Sequence, residues 1–285
     1  MIPIIGGLCA ALVFAVSVLV SARASRLVGA PSTVAGAMVV GLAIGLPIAL
    51  VTTPAPNLDG AALGWALMAG FGNVCGLLLT YVAYRAGAVG VVSAIASTEG
   101  AIAAVIAVLA GEILAPGSGI VLALIAVGVV LAASGGGEEE GVPIPRDRAV
   151  RAAALALAAA ISFAFGLYGA GRIAGLLPLA WAILPARVVG VAVVAVPLAL
   201  LGRVRITRAA LPYVVATGVA EIVGYVAYTI GAREGIAVSA VLASMFAPFA
   251  AIAAFVVFRE RLSRRQVAGI IAIVVGVATL GLLQA

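Results

Sequence analysis

Only two carboxylates, Glu99 and Glu221, lie deep inside the long apolar runs of this sequence. An ionised carboxylate in such surroundings is costly unless it is paired or hydrated, so it needs a reason to be there. Two readings stand for each. In one, the carboxylate meets a substrate or carries a coupling proton. In the other it is structural, bonded to backbone at a helix break or paired with Arg187. Glu221 also belongs to a pattern. Asn73, Leu77, Tyr81 and Tyr84 fall at i, i+4, i+8 and i+11, one face of a helix, and Thr217, Glu221, Tyr225 and Tyr228 repeat that spacing 144 residues later. Two matching stripes would line one shared cavity, where Asn73, Leu77, Tyr81, Thr217, Glu221 and Tyr225 contact a bound small molecule. Tyr84 and Tyr228, nearer the helix ends, read equally well as a tyrosine belt at the lipid headgroups.

The remaining polar residues fall into smaller groups. Ser93, Ser97 and Gly100 share a face, and Ser239 and Ser244 lie in the corresponding later run. Small residues of this kind usually serve close helix packing. Ser97 and Ser244 are nonetheless kept as candidate substrate contacts. Arg187, two residues after Pro185, is the one Arg well inside an apolar run; snorkelling or pairing with a Glu comes ahead of substrate contact. Glu112 and Glu260 each stand just before a new helix and read as helix-start carboxylates that favour the macrodipole. Pro47, Pro197 and Pro248 imply kinks, as hinges or as bends in a wall. The chain has no His, and Cys9 and Cys75 lack metal-ligand spacing, so they read as buried apolar thiols, and no metal or cofactor is expected.

These residues must be held by membrane helices. Of the 285 residues 65% are hydrophobic and 9% charged, with a mean hydropathy of +1.33. Soluble domains carry about 25% charged residues, so lipid must be the solvent for most of this surface. Ten runs are long enough to span: 3–22, 33–51, 61–84, 88–110, 118–134, 149–171, 178–201, 209–231, 235–258 and 264–283. They are rich in Ala, Leu and Gly and lack the alternation of membrane strands. Ala22-Arg23-Ala24 resembles a signal-peptide cleavage site, yet no basic segment precedes the first run and that run is too long, so it reads as a retained helix. The stretch 135–148, with GGGEEE and two prolines, reads as a flexible cytoplasmic linker between halves 1–134 and 149–285.

The halves resemble one another. Tyr81-Val82-Ala83-Tyr84 returns as Tyr225-Val226-Ala227-Tyr228, Glu112 as Glu260, Val127-Gly128-Val129 as Val275-Gly276-Val277, and Pro47 corresponds to Pro197. Five helices per copy is an odd number, so the second copy enters the membrane inverted. All sixteen basic residues are Arg. Thirteen fall in links on one side and only Arg172 and Arg233 on the other, which puts the linker inside and both termini outside the cytoplasm. This distribution, with no basic helix face, argues against a nucleic-acid partner for the net charge of +6.

Ten helices in two copies, with the turns Gly111-Glu112-Ile113-Leu114 and Arg259-Glu260-Arg261-Leu262, the Tyr-x-Ala-Tyr helix ends and the kinked Glu99-Gly100 and Ala247-Pro248 sites, resemble the drug/metabolite transporter superfamily, EamA type. Within it the whole chain is most similar to YddG-type bacterial amino-acid exporters. Gly100 stands where the family often has Pro, and Ala247 where it often has Glu. The resemblance implies an all-α basket of ten transmembrane helices around a central cavity in a bacterial inner membrane, with periplasmic termini and export of small amphipathic metabolites. The residues agree on the cargo: one internal Arg and no Lys argue for neutral or zwitterionic molecules rather than phosphate-bearing ones. Two halves closing one cavity point to a monomer, with the bilayer and a small-molecule substrate as partners. An intramembrane enzyme would need a clustered nucleophile or acid–base set, which the sequence lacks. A channel would betray itself by single-channel current. No Walker-type loop is present, so ATP does not drive the protein directly.

Overall fold

The computed structural model describes residues 1–86, 89–133, 145–249 and 263–283. The described residues are helical and include no strand. In chain order the helices are Ile2–Val28 (α1), Ala30–Thr52 (α2), Gly60–Ala86 (α3), Val89–Ala96 (α4), Glu99–Leu109 (α5), Ser118–Ala133 (α6), Arg146–Ala174 (α7), Leu179–Ala182 (α8), Pro185–Gly190 (α9), Val196–Leu200 (α10), Leu211–Ala232 (α11), Ile236–Ala243 (α12) and Arg264–Leu283 (α13). A π-helical turn, Val191–Ala195, joins α9 to α10. Most of the linker expected at 135–148, the turn 259–262 with Glu260, and the side chains of Tyr81, Tyr84 and Ser93 lie outside the described residues.

Among the described residues six helical stretches are long and apolar enough to cross a bilayer: Ile2–Val28, Ala30–Thr52, Gly60–Thr80, Arg146–Ala174, Leu179–Leu200 and Leu211–Ala232. The fourth and ninth expected spans are interrupted. The fourth breaks at Ser97 and Thr98, whose hydroxyls donate to the carbonyls of Ala94 (2.9 Å) and Ile95 (2.7 Å). The ninth breaks at Ser244, whose hydroxyl donates to Val241 O at 2.7 Å. A serine or threonine hydroxyl that takes a nearby carbonyl competes with the helix ladder. The seventh span is broken differently. Pro185 starts α9, and Pro197, without an N–H to donate, follows the wider π turn.

Between two helices in lipid, attraction comes from packing, so small residues are selected where backbones approach. Several pairs of helices meet this way, three of them as follows. A Cβ on Gly72 of α3 would lie 2.5 Å from Gly166 N on α7; one on Gly6 of α1 would lie 2.7 Å from Gly231 Cα on α11. On α13, a Cβ on Gly269 would stand 2.5 Å from Ala132 N of α6. The buried residues are accordingly dominated by Ala, while Leu, Ile and Val face outward, as Val51 and Ile113 do at 87% and 94% exposure. Cys9 and Cys75 are also exposed, which corrects the expectation of buried thiols: beneath a lipid surface an apolar thiol has no need of the core.

The closest packing joins the first part of the chain to the second. α1 packs on α11, α3 on α7, α5 on α12, α6 on α13 and α2 on α9. Exchanging the two copies turns the α1–α11 contact into α7–α3 and carries the other three pairs onto themselves. The two Arg residues on the sparsely basic side are both engaged by the scaffold. Arg233 donates to Ala174 O and Leu177 O, each at 2.9 Å, and the Arg172 guanidinium stands 5.1 Å from the Trp65 ring centroid. Those contacts supply a local reason for their presence there.

Candidate functional site

The stripe on α11 runs through the middle of a polar cluster. Tyr225, 5% exposed, lies under the Arg187 guanidinium, 4.9 Å from ring centroid to Cζ, an arrangement that favours a cation over the ring face. Phe14 of α1 meets the same ring edge-on at 5.9 Å. Asn73 of α3 lies beside the Tyr225 hydroxyl, so residues from the two expected stripes do come together. One turn before Tyr225, Glu221 accepts a hydrogen bond from Ser17 of α1 at 2.8 Å through Oε1, and its Oε2 stands 3.6 Å from Arg187 Nη2. Glu99, at the first turn of α5, is buried and close enough to act electrostatically on Glu221, Tyr225 and Tyr228.

Arg187 is the centre of this cluster and is fully buried. Its short helix α9 is started by Pro185 and lies against α2 and α3. On α2, Met38 Sδ accepts from Nη1 at 3.3 Å. Gly41 leaves the space the arginine stem occupies, since a Cβ there would lie 2.9 Å from Arg187 Cδ. The sequence expectation that Arg187 pairs with a Glu is met, and the partner is Glu221.

Other expected members stand apart. Thr217 is buried and donates to Tyr213 O of its own helix at 2.8 Å. Leu77 packs against an apolar group that includes Val34, Met38 and Val189. Ser97 and Ser244 spend their hydroxyls on helix-break carbonyls, as described above, and Gly100 lets α5 and α12 cross there: a Cβ on Gly100 would lie 2.5 Å from Ser244 Oγ and closer still to Ala240 O. Tyr228 does not form a headgroup belt. It is fully buried, and its hydroxyl donates to Leu167 O of α7 at 2.7 Å. Tyr81 lies on α3, with its side chain outside the described residues.

Sequence reasoning missed Ser17, Phe14 and Met38. Ser17 carried a signal, being a hydroxyl within an otherwise apolar run; Phe14 and Met38 carried none. Glu112 does serve a helix start, although not that of the helix following it. Its carboxylate accepts from Ile236 N at 3.1 Å and from Ala237 N at 3.0 Å, at the first turn of α12.

What the cluster offers chemically is one fixed cation, two carboxylates, an amide and an aromatic plane, enclosed where α1, α2, α3, α5, α9 and α11 converge. Two concave features lie away from the cluster. An apolar groove of about 880 Å³ follows the outer seam of α1 and α11, and a polar pocket of about 330 Å³ lies by Glu112 and Glu234.

Residues 1–134 and, separately, 150–282 match the EamA-like transporter family, so the chain is a tandem of two copies of that unit. No curated protein matches the sequence. One solved crystal structure has a TM-score of 0.79 over 99% of this chain and 98% of that one, at 17% identity, a likeness of fold.

Proposed function

This chain belongs to the EamA-like transporter family, and on that premise we propose that it exports small neutral or zwitterionic metabolites, with bulky apolar amino acids favoured. The observation that supports this reading is the Arg187–Glu221 pair, its arginine fully buried over an aromatic ring, at a point where helices of both copies meet. A cluster with one cation and no second Arg or Lys suits cargo without net charge, and the Tyr225 and Phe14 rings suit an apolar side chain. Cargo would move by alternating access: two inverted five-helix halves, 1–134 and 149–285, rock about the cluster, across ten spans with periplasmic termini. Asn73, Tyr81, Glu221 and Tyr225 are the proposed contacts in a monomer of a bacterial inner membrane. Leu77, Thr217, Ser97 and Ser244 are proposed to shape the wall behind them. A second reading, proton-coupled drug export, draws on the electrostatic closeness of Glu99 to Glu221, which gives a shared proton a place to reside. We read the protein as a transporter and not as an enzyme.

Counterflow of radiolabelled amino acids in liposomes tests the proposal, with wild type beside Glu221→Gln. Exchange of neutral amino acids, impaired in a folded variant, is the expected result. Folded wild-type protein that exchanges no amino acid would remove the cargo assignment and leave only the family.

A further inference from the structure

Arg187 is poorly served by the protein around it. Nη1 has only the Met38 thioether, a weak acceptor, at 3.3 Å. Nη2 is 3.6 Å from Glu221 Oε2, too far for a hydrogen bond, and both Nη2 and Nε are buried with no acceptor. Asn73, beside the Tyr225 hydroxyl, likewise has its Oδ1 buried with no donor. Buried polar atoms are nearly always hydrogen-bonded, and those that are not call for an explanation. A pair built only for the scaffold would close both Glu221 oxygens onto the guanidinium fork. Here Oε1 is instead held by Ser17 at 2.8 Å. The unused groups are therefore guanidinium N–H donors over the face of the Tyr225 ring and a neutral acceptor near its hydroxyl.

We infer that Arg187 is the receptor for a carboxylate on the cargo, and that Glu221 and Asn73 Oδ1 receive its ammonium group. This assignment rests on reading the cluster as the transport site. The guanidinium is planar and presents paired N–H donors that match a carboxylate, which a lysine would not. A zwitterion brings no net charge to a buried site, whereas a phosphate would set further negative charge beside Glu99 and Glu221. When cargo is bound, its carboxylate takes the place that Glu221 holds at 3.6 Å, and Glu221 turns to the ammonium group. The recognition is thus an exchange of ion pairs, in which no buried charge is left alone. Gly41 belongs to this arrangement, because a side chain at that position would push the arginine stem off α2.

The experiment uses purified full-length protein in liposomes and three matched probes: phenylalanine, phenylalanine methyl ester and phenethylamine. Hydrogen bonds to a charged group contribute enough that wild type should exchange phenylalanine about 10- to 100-fold faster than the other two. Arg187→Lys should keep part of that preference and Arg187→Gln should lose it. Because Arg187→Gln leaves the half-buried Glu221 carboxylate without its cation, the double variant Arg187→Gln with Glu221→Gln is measured beside it. A folded double variant that moves acid and ester at equal rates supports the assignment. Wild type that moves all three probes equally overturns it while transport stands, as does a double variant that still prefers the acid. Folded wild type that moves none of the three removes the amino-acid transport reading, and the assignment falls with it.

Discussion

Removing the carboxylate of Glu112 should loosen the junction between the two copies. The link between α5 and α6 presents this carboxylate to the first turn of α12, where Oε1 and Oε2 take the Ala237 N–H at 3.0 and 3.2 Å and Oε2 takes the Ile236 N–H at 3.1 Å. Those N–H groups have no partner inside their own helix, because a helix leaves its first amides unserved. Loss of a capping side chain costs about 0.5–2 kcal/mol, and the helix dipole adds about 0.3–1 kcal/mol for a negative charge at this end. Glu112→Ala should therefore cost about 1–3 kcal/mol. At about 2–4 °C per kcal/mol, an upper range for a chain of 285 residues, the melting temperature falls by up to about 12 °C. Glu112→Gln keeps one acceptor and loses the charge, so it should fall between the alanine variant and wild type. Glu234 borders the same polar pocket but is exposed, so Glu234→Ala serves as the control and should shift melting by less than about 0.5 kcal/mol. The assay is thermal unfolding of the detergent-solubilised protein, followed by size-exclusion fluorescence. If Glu112→Ala melts with wild type, or no lower than Glu234→Ala, the cap contributes nothing and the reasoning fails.

Two further outcomes are expected from the scaffold around the cluster. Gly100→Ala places a methyl group 2.5 Å from Ser244 Oγ and against the Ala240 carbonyl, so α5 and α12 must separate; overpacking of this kind costs about 1–3 kcal/mol, read as a lower melting temperature. Tyr228→Phe strips the donor from Leu167 O, a bond of 2.7 Å, and should cost about 0.6–1.7 kcal/mol, with the relative rates for phenylalanine and its ester unchanged. A changed ratio there would mean that Tyr228 touches cargo.

Periodicity in the sequence located the helices because an apolar run is a local property. It could not foresee the breaks at Ser97 and Ser244, since a serine hydroxyl has two uses, and whether it bonds its own helix depends on what crosses there. The stripe on α11 was legible at Glu221 and Tyr225, because residues four apart on one helix share a face whatever the fold. On α3 the same rule reached Asn73 but not Leu77, which turns to the apolar group with Val34 and Val189. Ser17, Phe14 and Met38 contribute to the cluster from α1 and α2, and nothing in one sequence states that those helices lie against α11 and α9. Glu112 illustrates the same limit. Its chemistry, a carboxylate for a helix start, was readable; the helix it serves lies 124 residues away.

The arrangement separates the contacts that the repeat duplicates from the charges that it does not. Close contacts come in related sets, α1 with α11 and α7 with α3, so the glycines that permit them carry the scaffold twice. The charges do not follow this rule. Glu221 corresponds to Leu77 in the first copy and Glu99 to Ala247 in the second. A charge duplicated by the repeat would bring a further carboxylate or a second cation to the same crossing, and like charges buried together are mutually destabilising. Because it is not repeated, the Arg187–Glu221 pair, with Ser17, Met38 and Asn73 from the first copy around it, adds no further like charge to the one that Glu99 already brings beside Glu221. If the cluster is the transport site as proposed, its recognition can be altered at these few unrepeated positions without disturbing the glycine contacts that let two copies close on one another.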